Sequence, residues 1–260
     1  MGNPKTIWAI PAIHAQLDRL TALHDDILSG IKPGDRVLYL GNYTGYGDDA
    51  AACVDEILTF RRMVLAMPGM AAKDLVYLRG MQEEMWQKLL QLQFAPNPSD
   101  VLLWMLGKGL SQTLYSYGLS PHDGIEACRN GIMGITKWTN TIRAAIRRHP
   151  GHDVFSTQHY RAAFTQEDAE APLLFVHAGI NACKPLSEQG DALWWDGQDF
   201  NSIATRYDPF HKVVRGYDPT RKGLNLNCVT ATLDDGCGFG GGLACAQFAR
   251  DGEVANIVTH

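Results

Sequence analysis

The sequence has no excess of basic residues, which argues against a nucleic-acid partner. The 260-residue chain carries 23 Lys and Arg against 28 Asp and Glu, a formal net charge of −5. Proteins that bind nucleic acid without sequence preference present a basic surface to the phosphates, and this charge balance indicates none. We therefore expect no binding to nucleic acid.

The sequence also lacks long hydrophobic runs. No apolar stretch approaches the roughly 20 residues that a membrane-spanning helix needs. The N-terminus has no charged segment followed by an apolar one, the pattern typical of a secretory signal. These absences predict a cytoplasmic protein with no membrane partner.

The cysteines show no pairing pattern. None of them forms a C-x-x-C motif or has zinc-finger spacing, and the six are Cys53, Cys128, Cys183, Cys228, Cys237 and Cys245. Such scattered cysteines are typical of reduced thiols in a reducing compartment, not of a disulfide framework.

Strands and helices alternate in the first third of the chain. Short β-branched or aromatic runs at 6–11, 36–40 and 75–78 predict strands, and apolar residues at helical spacing predict helices over 17–28 and 48–65. With 45% hydrophobic residues, the chain can bury a sizeable core. The alternation favours an α/β fold in which helices flank a sheet.

The middle of the chain is helical, and strands return after it. Residues 84–150 contain at least three helical segments without a linker at either end, so we predict a helical insertion within a single domain spanning 1–260. Strand-like runs follow at 172–176, 212–214, 224–233 and 243–248. The glycine-rich segment 234–242 is typical of a turn between antiparallel strands.

Five short loops each follow a strand-like run, and they are 12–15, 41–47, 79–83, 176–179 and 214–218. Ligand sites in α/β proteins form in loops beyond the carboxyl ends of the strands. The spacing therefore predicts that the five loops form one site.

These loops resemble the motifs of the calcineurin-like metallophosphoesterases, in the bacterial branch of serine/threonine protein phosphatases and diadenosine tetraphosphatases. The family pattern is roughly D-x-H-G, G-D-x-x-D-R-G, R-G-N-H-E, V-H-A-G and G-H-T-P, and the match runs from Ile7 to about Gly252. The resemblance implies a metallophosphoesterase-like four-layer αββα sandwich: two mixed β-sheets flanked by helices, with the helical insertion.

Most positions that bind metal in the family carry other residues in this chain. The resemblance implies metal ligands at His14 and His177, and it places Asn42 where the family has a bridging aspartate. The remaining ligand positions hold side chains that do not fit the role, and they are Ala12, Met81 and Tyr217.

The positions that assist catalysis are also changed. The family's catalytic histidine corresponds to Gln82, and the aspartate and arginine of the second motif correspond to Gly45 and Tyr46. A carboxamide has no proton to give near neutral pH, so Gln82 cannot act as a general acid. We expect no catalytic residue among these three.

Two neutral imidazoles and a carboxamide cannot compensate the roughly four positive charges of a two-metal centre. We therefore expect no cofactor. If a metal binds, it is a single weakly bound divalent ion (Mn, Fe or Zn) on the vestigial ligands His14, His177 and Asn42. Arg79 and Arg215 lie in the site loops, and guanidinium groups suit phosphate, so both are candidate anion ligands.

The leading hypothesis is a catalytically defective metallophosphoesterase homologue, a pseudophosphatase, that acts by binding a phosphorylated partner, a nucleotide or a protein partner. The alternative is an active phosphoesterase or protein phosphatase with a reduced or relocated metal site. That site would use His14, His177 and Asn42 with the nearby Asp48 or Asp49.

Overall fold

The computed structural model describes residues 1–167, 169–195, 197 and 199–260. Ten strands lie in these residues: β1 (Ile7–Ile10), β2 (Arg36–Tyr39), β3 (Leu75–Tyr77), β4 (Ala163–Phe164), β5 (Leu173–Val176), β6 (Lys212–Arg215), β7 (Asn225–Leu226), β8 (Thr230–Thr232), β9 (Ala244–Phe248) and β10 (Val254–Thr259). The same residues form eight α-helices: α1 (Leu17–Gly30), α2 (Ala50–Ala66), α3 (Met81–Leu89), α4 (Pro98–Met105), α5 (Ser111–Ser116), α6 (Pro121–Arg129), α7 (Gly131–Arg147) and α8 (His152–Phe155).

The strands form two mixed five-stranded sheets. The first has the order β10-β9-β1-β2-β3, in which β1, β2 and β3 are parallel and β9 and β10 are antiparallel to their neighbours. The second has the order β4-β5-β6-β8-β7, with a parallel centre of β5, β6 and β8. The predicted α/β fold of two mixed sheets flanked by helices is confirmed.

The two sheets pack face to face through alternating side chains. Along β1, Ile7 and Ala9 join an apolar cluster that also contains Phe175 of the second sheet, whereas Trp8 and Ile10 point to the opposite face. This alternation follows from the two-residue period of a strand. The core between the sheets therefore contains residues of both, as a sandwich requires.

The outer faces of the sheets are covered in different ways. Helices α1 and α2 cover the first sheet through a cluster that includes Leu20, Leu23 and Phe60. The second sheet is covered by a segment rich in short 3₁₀ turns, which contributes Trp194 and Phe200. This outer layer over the second sheet contains no long helix in the part of the chain that is described.

The short helix α8 lies beyond the predicted helical region 84–150, and its Phe155 belongs to the cluster beneath α1 and α2. Helices α3 to α7 cover the predicted region. They pack around a separate cluster that includes Trp86, Leu114 and Trp138, and Ala12 and Tyr217 of the site loops belong to it as well. The helix formed by α4 and α5 is broken near Lys108 and Gly109, where Gly109 has φ +95°. The helices therefore lie against the loop end of the sheets.

Two expectations about the last third of the chain differ from the structure. The glycine-rich segment 234–242 does not join paired strands: β8 belongs to the second sheet, whereas β9 pairs with β1 and β10 in the first. Strand β10 was not predicted, because three of its six residues are polar or small and interrupt the apolar run. The segment 234–242 carries the chain from the second sheet to the first. Local periodicity does not reveal which strands pair, so the sequence did not predict this crossing.

No helix in the described residues is long and apolar enough to cross a membrane.

Candidate active-site loops

The structure brings the five predicted loops together at the carboxyl ends of β1, β2, β3, β5 and β6. Backbone hydrogen bonds join the first loop to the others: Ala12 donates to Gly216 O at 2.9 Å, and His14 donates to Asn42 O at 2.9 Å. The loops following β2 and β3 approach closely, since a Cβ at Gly41 would lie 2.5 Å from Gly80 N. Only glycine allows this approach, which explains why positions 41 and 80 are glycines.

Strained backbone is also concentrated here. His14, Ala15, Asn42 and Tyr46 adopt left-handed conformations with φ between 51° and 65°. Non-glycine residues pay for this conformation, and such residues cluster at functional sites in enzymes. The concentration of left-handed residues makes these loops the candidate functional site.

His14 is fully buried among aromatic rings. Tyr46, Tyr217 and Phe239 each present an edge to it, with ring centroids 5.2, 5.7 and 5.2 Å away. Neither ring nitrogen has a hydrogen-bond partner among the described residues. Burial, reinforced by His177 and Arg221, lowers the pKa of His14 to about 3; the Thr44 backbone opposes this without completing a hydrogen bond. His14 is therefore neutral at physiological pH.

His177 is also fully buried and neutral. Its Nδ1 lies 2.6 Å from Leu40 O, and its ring stacks on Tyr217 with centroids 5.2 Å apart. Burial lowers its pKa to about 4, although the Leu40 carbonyl favours the protonated form. The Leu40 carbonyl selects the tautomer with the proton on Nδ1, which leaves Nε2 free as a donor atom, the usual arrangement of a metal-binding histidine.

The three positions predicted to have lost metal ligands lie together in one apolar cluster. Ala12, Met81 and Tyr217 are each at most 6% exposed, and they pack with Ala178 beneath the helices. Tyr217 touches both histidine rings. Apolar side chains and an aromatic ring therefore fill the space around the two imidazoles.

Asn42 and Gln82 each use one polar atom on the protein itself, whereas Asn42 Nδ2 and Gln82 Oε1 are buried without a hydrogen-bond partner among the described residues. Asn42 Oδ1 accepts a hydrogen bond from Gln82 N at 2.9 Å, and Gln82 Nε2 donates to Lys108 O at 2.7 Å. A Cβ at Gly45 would lie 2.3 Å from Gln82 Cδ. The Gln82 side chain therefore fills the space that a side chain at position 45 would need, so the two changes are sterically compatible with each other.

The break between α4 and α5 is attached to the site loops. Besides the bond from Gln82, the hydroxyl of Thr113 accepts from Gly45 N at 3.1 Å, and Gly109 O accepts from Tyr46 N at 3.4 Å. All three positions at which we predicted a lost catalytic role therefore hydrogen-bond to the helical region, Gly45 and Tyr46 through their backbone N–H groups and Gln82 through its side chain. This was not apparent from the sequence, because contacts 26 to 68 residues apart leave no periodic pattern.

Glu83, the retained acidic residue of the third loop, has a structural role. Its carboxylate accepts from Asn42 N and Gly80 N at 2.8 Å and from Tyr43 N at 3.0 Å. Burial raises its pKa, and these three backbone donors counteract the shift. Glu83 therefore fixes the second and third loops relative to each other.

Arg215 is buried, and the protein itself uses its guanidinium. Nε donates to Thr232 Oγ1 at 2.8 Å, Nη1 donates to Gly197 O at 2.8 Å, and Nη2 pairs with Asp218 at 3.2 Å. With 0% exposure it has no free face for an anion. The environment of Arg215 gives no support to its predicted role as an anion ligand.

Arg79 is partly exposed and paired. Its Nη1 lies 3.1 Å from Glu84 Oε2, and Glu84 also pairs with Lys88. An anion would have to compete with this carboxylate. Arg79 is therefore at most a weak anion site.

Asp48 and Asp49 of the alternative hypothesis are exposed residues on the rim of an open depression lined by 15–19 and 47–49. Among the described residues, neither of them joins His14 and His177 in a three-ligand group of acidic, thiol or imidazole side chains. The structure thus does not assemble the reduced metal site from this set.

A different group of possible metal ligands does assemble, and the sequence pattern did not single it out. Asp55 of α2, His149 after α7 and His152 of α8 place one ligand atom each within 4.8 Å of one another. The H-x-x-H spacing at 149–152 was the available signal, but Asp55 is 94 residues away from it.

The donors in the five loops do not fit the two-metal centre that the fold family implies. Two buried imidazoles have unpartnered nitrogens, but the amide oxygen of Asn42 already accepts from Gln82. The carboxylates of Glu83 and Asp218 in these loops are already used by backbone amides and by Arg215. Because a two-metal site needs carboxylates to balance its charge, these residues suit at most one weakly held ion.

Comparisons with solved structures identify the fold. A protein assigned as a diadenosine tetraphosphatase aligns over 100% of this chain and 96% of its own, with a TM-score of 0.58 and 15% identity. A serine/threonine phosphatase from Saccharomyces cerevisiae aligns over 99% and 79%, with a TM-score of 0.54 and 12% identity. A mutant of a cold-active protein tyrosine phosphatase aligns over 99% and 81%, with a TM-score of 0.52 and 13% identity.

No family model matches the sequence, and no curated protein matches it. The likeness is therefore one of three-dimensional structure, spread over nearly the whole chain at 15% identity or less. The chain has the calcineurin-like metallophosphoesterase fold.

Proposed function

We propose that the protein is a non-catalytic metallophosphoesterase homologue, a pseudophosphatase, that acts by binding a protein partner. The observation that carries this proposal is the attachment of Gly45, Tyr46 and Gln82 to the α4–α5 break. Positions that would serve phosphate-ester hydrolysis in the fold family hold the helical region instead.

The chemistry of these groups supports the proposal. The Gln82 carboxamide cannot protonate a leaving group, and Met81 and Tyr217 bring apolar bulk to the place where metals would bind. The two imidazoles that remain are neutral, so they add no negative charge to retain a divalent ion.

A protein partner is favoured over a nucleotide or a phosphorylated ligand. The cavity bordered by Thr44, Glu83 and Trp86 has a volume of only about 40 Å³. The open depression beside the loops, lined by 15–19 and 47–49, holds about 300 Å³, but three of its residues are aspartates, which disfavour a phosphate group. Arg79 and Arg215 are paired within the protein. These features leave little provision for phosphate.

The helical region, in contrast, exposes large apolar side chains. Met133 and Phe94 are 80% exposed, Ile132 is 67% exposed, and Trp104 is 45% exposed. Ile132 and Met133 follow one another in α7, and we infer that the exposed apolar surface around them binds the partner. With a net charge of −5, the protein also remains an unsuitable binder of nucleic acid.

A second candidate function is an active phosphoesterase with a relocated metal site. The specific observation in its favour is the group of Asp55, His149 and His152. The phosphatases with the same fold make phosphoric ester hydrolysis the reaction to test.

Hydrolysis of p-nitrophenyl phosphate with added manganese or zinc separates the two functions. We expect background rates for the wild type and for the His177→Ala and Asp55→Asn variants. Metal-dependent turnover that is lost in His177→Ala would restore the five loops as an active site, and turnover lost in Asp55→Asn would establish the relocated one. Either result would refute the pseudophosphatase.

The binding function is tested by affinity capture from the source cells. We expect a specific protein to be retained by the wild type and lost from Met133→Glu, which places a charge on the exposed apolar surface of α7. Thr141→Glu, at an exposed position of the same helix, is the matched control. A protein that both variants retain equally would place the interaction elsewhere and count against this surface.

A further inference from the structure

Asp55, His149 and His152 form a compact group outside the five loops. Asp55 Oδ1 lies 3.1 Å from His152 Nε2, and Asp55 Oδ2 lies 4.0 Å from His149 Nδ1. The two imidazole rings lie side by side, with centroids 4.9 Å apart and planes inclined by 31°. Two imidazoles and one carboxylate thus converge on one small volume.

These distances suit a tetrahedral zinc ion. Zinc binds imidazole nitrogen and carboxylate oxygen at about 2.0–2.1 Å, which puts neighbouring donors roughly 3.4 Å apart. The separations of 3.1 and 4.0 Å lie on either side of that value. All three donor atoms lie within 4.8 Å of one another, so side-chain rotations at the partly exposed His149 and the exposed Asp55 can bring them to zinc-binding distances.

A neighbouring hydroxyl orients one of the imidazoles. Tyr117 Oη lies 2.8 Å from His152 Nδ1, and the Tyr117 ring presents its edge to both histidines. When Nδ1 carries the proton and donates to Tyr117, the lone pair of Nε2 points toward Asp55. A polar partner on the second nitrogen is a usual feature of metal-binding histidines.

The group is accessible from solvent on one side. The side chain of His152 is 1% exposed, whereas those of His149 and Asp55 are 33% and 56% exposed. An ion can therefore enter without unfolding the helices, and water can occupy the fourth position.

We propose that Asp55, His149 and His152 form a zinc site that clamps α7 and α8 to α2. The ligands come from both sides of the contact between the helical region and the helices on the first sheet, so the ion joins these two parts. Nitrogen and oxygen donors of this kind select zinc or a similar divalent transition metal over magnesium or calcium. The role is structural, and it is independent of the proposed binding function.

The test is zinc binding to the full, untagged chain after chelator treatment. Isothermal titration should give one equivalent of zinc, cobalt should show the visible absorption of a tetrahedral site, and zinc should raise Tm. We expect Asp55→Asn and His149→Ala to weaken zinc at least ~10-fold, and Tyr117→Phe to weaken it to a smaller extent.

Two controls keep the assignment specific. His122→Ala removes an exposed histidine of α6 and should leave zinc affinity unchanged. His177→Ala removes a vestigial ligand of the five loops and should also leave it unchanged. The Tm of each metal-free variant, measured beside the metal-free wild type, shows whether a loss reflects misfolding.

The proposal fails if the folded wild type binds no zinc. It also fails if zinc affinity persists in both Asp55→Asn and His149→Ala, or if His177→Ala alone abolishes it. The last outcome would assign the ion to the five loops.

Discussion

At the scale of single residues, the surroundings of His14 determine what its imidazole contributes to the protein. Its ring has no hydrogen-bond partner among the described residues and meets the edges of Tyr46, Tyr217 and Phe239. A buried polar group without a partner costs roughly 1–3 kcal/mol. The residue is therefore a stability cost in this protein, unless an ion binds it.

Replacing His14 with phenylalanine tests this cost and its pH dependence. The folded pKa of about 3 lies below the ordinary value of 6.5, so between these values the unfolded chain takes up a proton that the folded chain does not. Stability therefore falls as pH drops from about 6.5, by roughly 2 kcal/mol at pH 5 from this group alone.

We expect His14→Phe to be at least as stable as the wild type at pH 7 and to lose about 2 kcal/mol less between pH 7 and pH 5. Urea denaturation at the two pH values measures both quantities. His122→Phe, at an exposed position, should keep the wild-type pH dependence. A His14→Phe variant with unchanged pH dependence would show that folding does not lower the pKa of His14.

At the scale of elements, Arg215 connects the end of β6 with its surroundings. Its guanidinium reaches Thr232 at the end of β8, Gly197 in the segment over the second sheet, and Asp218 in the fifth loop. The guanidinium carbon, Cζ, also lies 4.6 Å from the centre of the Phe200 ring. A planar group with five donors can satisfy all of these partners at once, and an ammonium group cannot.

Arg215→Lys keeps the positive charge but replaces the planar guanidinium and its five N–H donors. The variant therefore tests whether the hydrogen bonds of Arg215, and not only its charge, stabilise the fold. We expect a loss of roughly 2 kcal/mol or more in the free energy of unfolding, because buried acceptors are left without donors. Chemical denaturation measures the loss, and Arg206→Lys at an exposed position should change stability little. A thermal shift with phosphate that Arg215→Lys abolishes would instead support the anion site.

At the scale of the whole molecule, the two sheets bring five loops to one end. These loops hold left-handed residues at His14 and Asn42 and a close approach of Gly41 to Gly80. Because strands and backbone define the positions of the Cβ atoms, we expect the scaffold to accept metal ligands at the positions where the family resemblance implies them.

A variant that restores four ligand positions tests this expectation, and it combines Ala12→Asp, Asn42→Asp, Met81→Asn and Tyr217→His. We expect it to be less stable than the wild type without metal, because the new carboxylates are buried near each other. Manganese should bind it and raise its Tm, and should have no such effect on the wild type. Adding His177→Ala should abolish the gain.

If the variant folds and binds no manganese, the loops have drifted from metal-binding geometry. Calorimetry and metal analysis of the same samples distinguish that result from a failure to fold, which would be visible in the circular dichroism spectrum.

Periodicity and turn residues predicted most helices and strands of the first ninety residues, because those elements bury regular faces. The second half was harder to predict. The crossing of 234–242 between sheets and the pairing of β10 with β9 depend on distant partners. The site residues were located through their spacing, yet the use of Gln82 and Gly45 to hold the α4–α5 break required the fold.

Residue identities alone establish which chemical groups the five loops lack, because a carboxamide, a methionine and a tyrosine have the same functional groups in any fold. Three-dimensional packing establishes what those groups do instead. It places Ala12, Met81 and Tyr217 in one apolar cluster, pairs Arg215 inside the protein, and brings Asp55 to His149 and His152. These relations join residues far apart in the chain, and their distances exist only once the sheets and helices have packed.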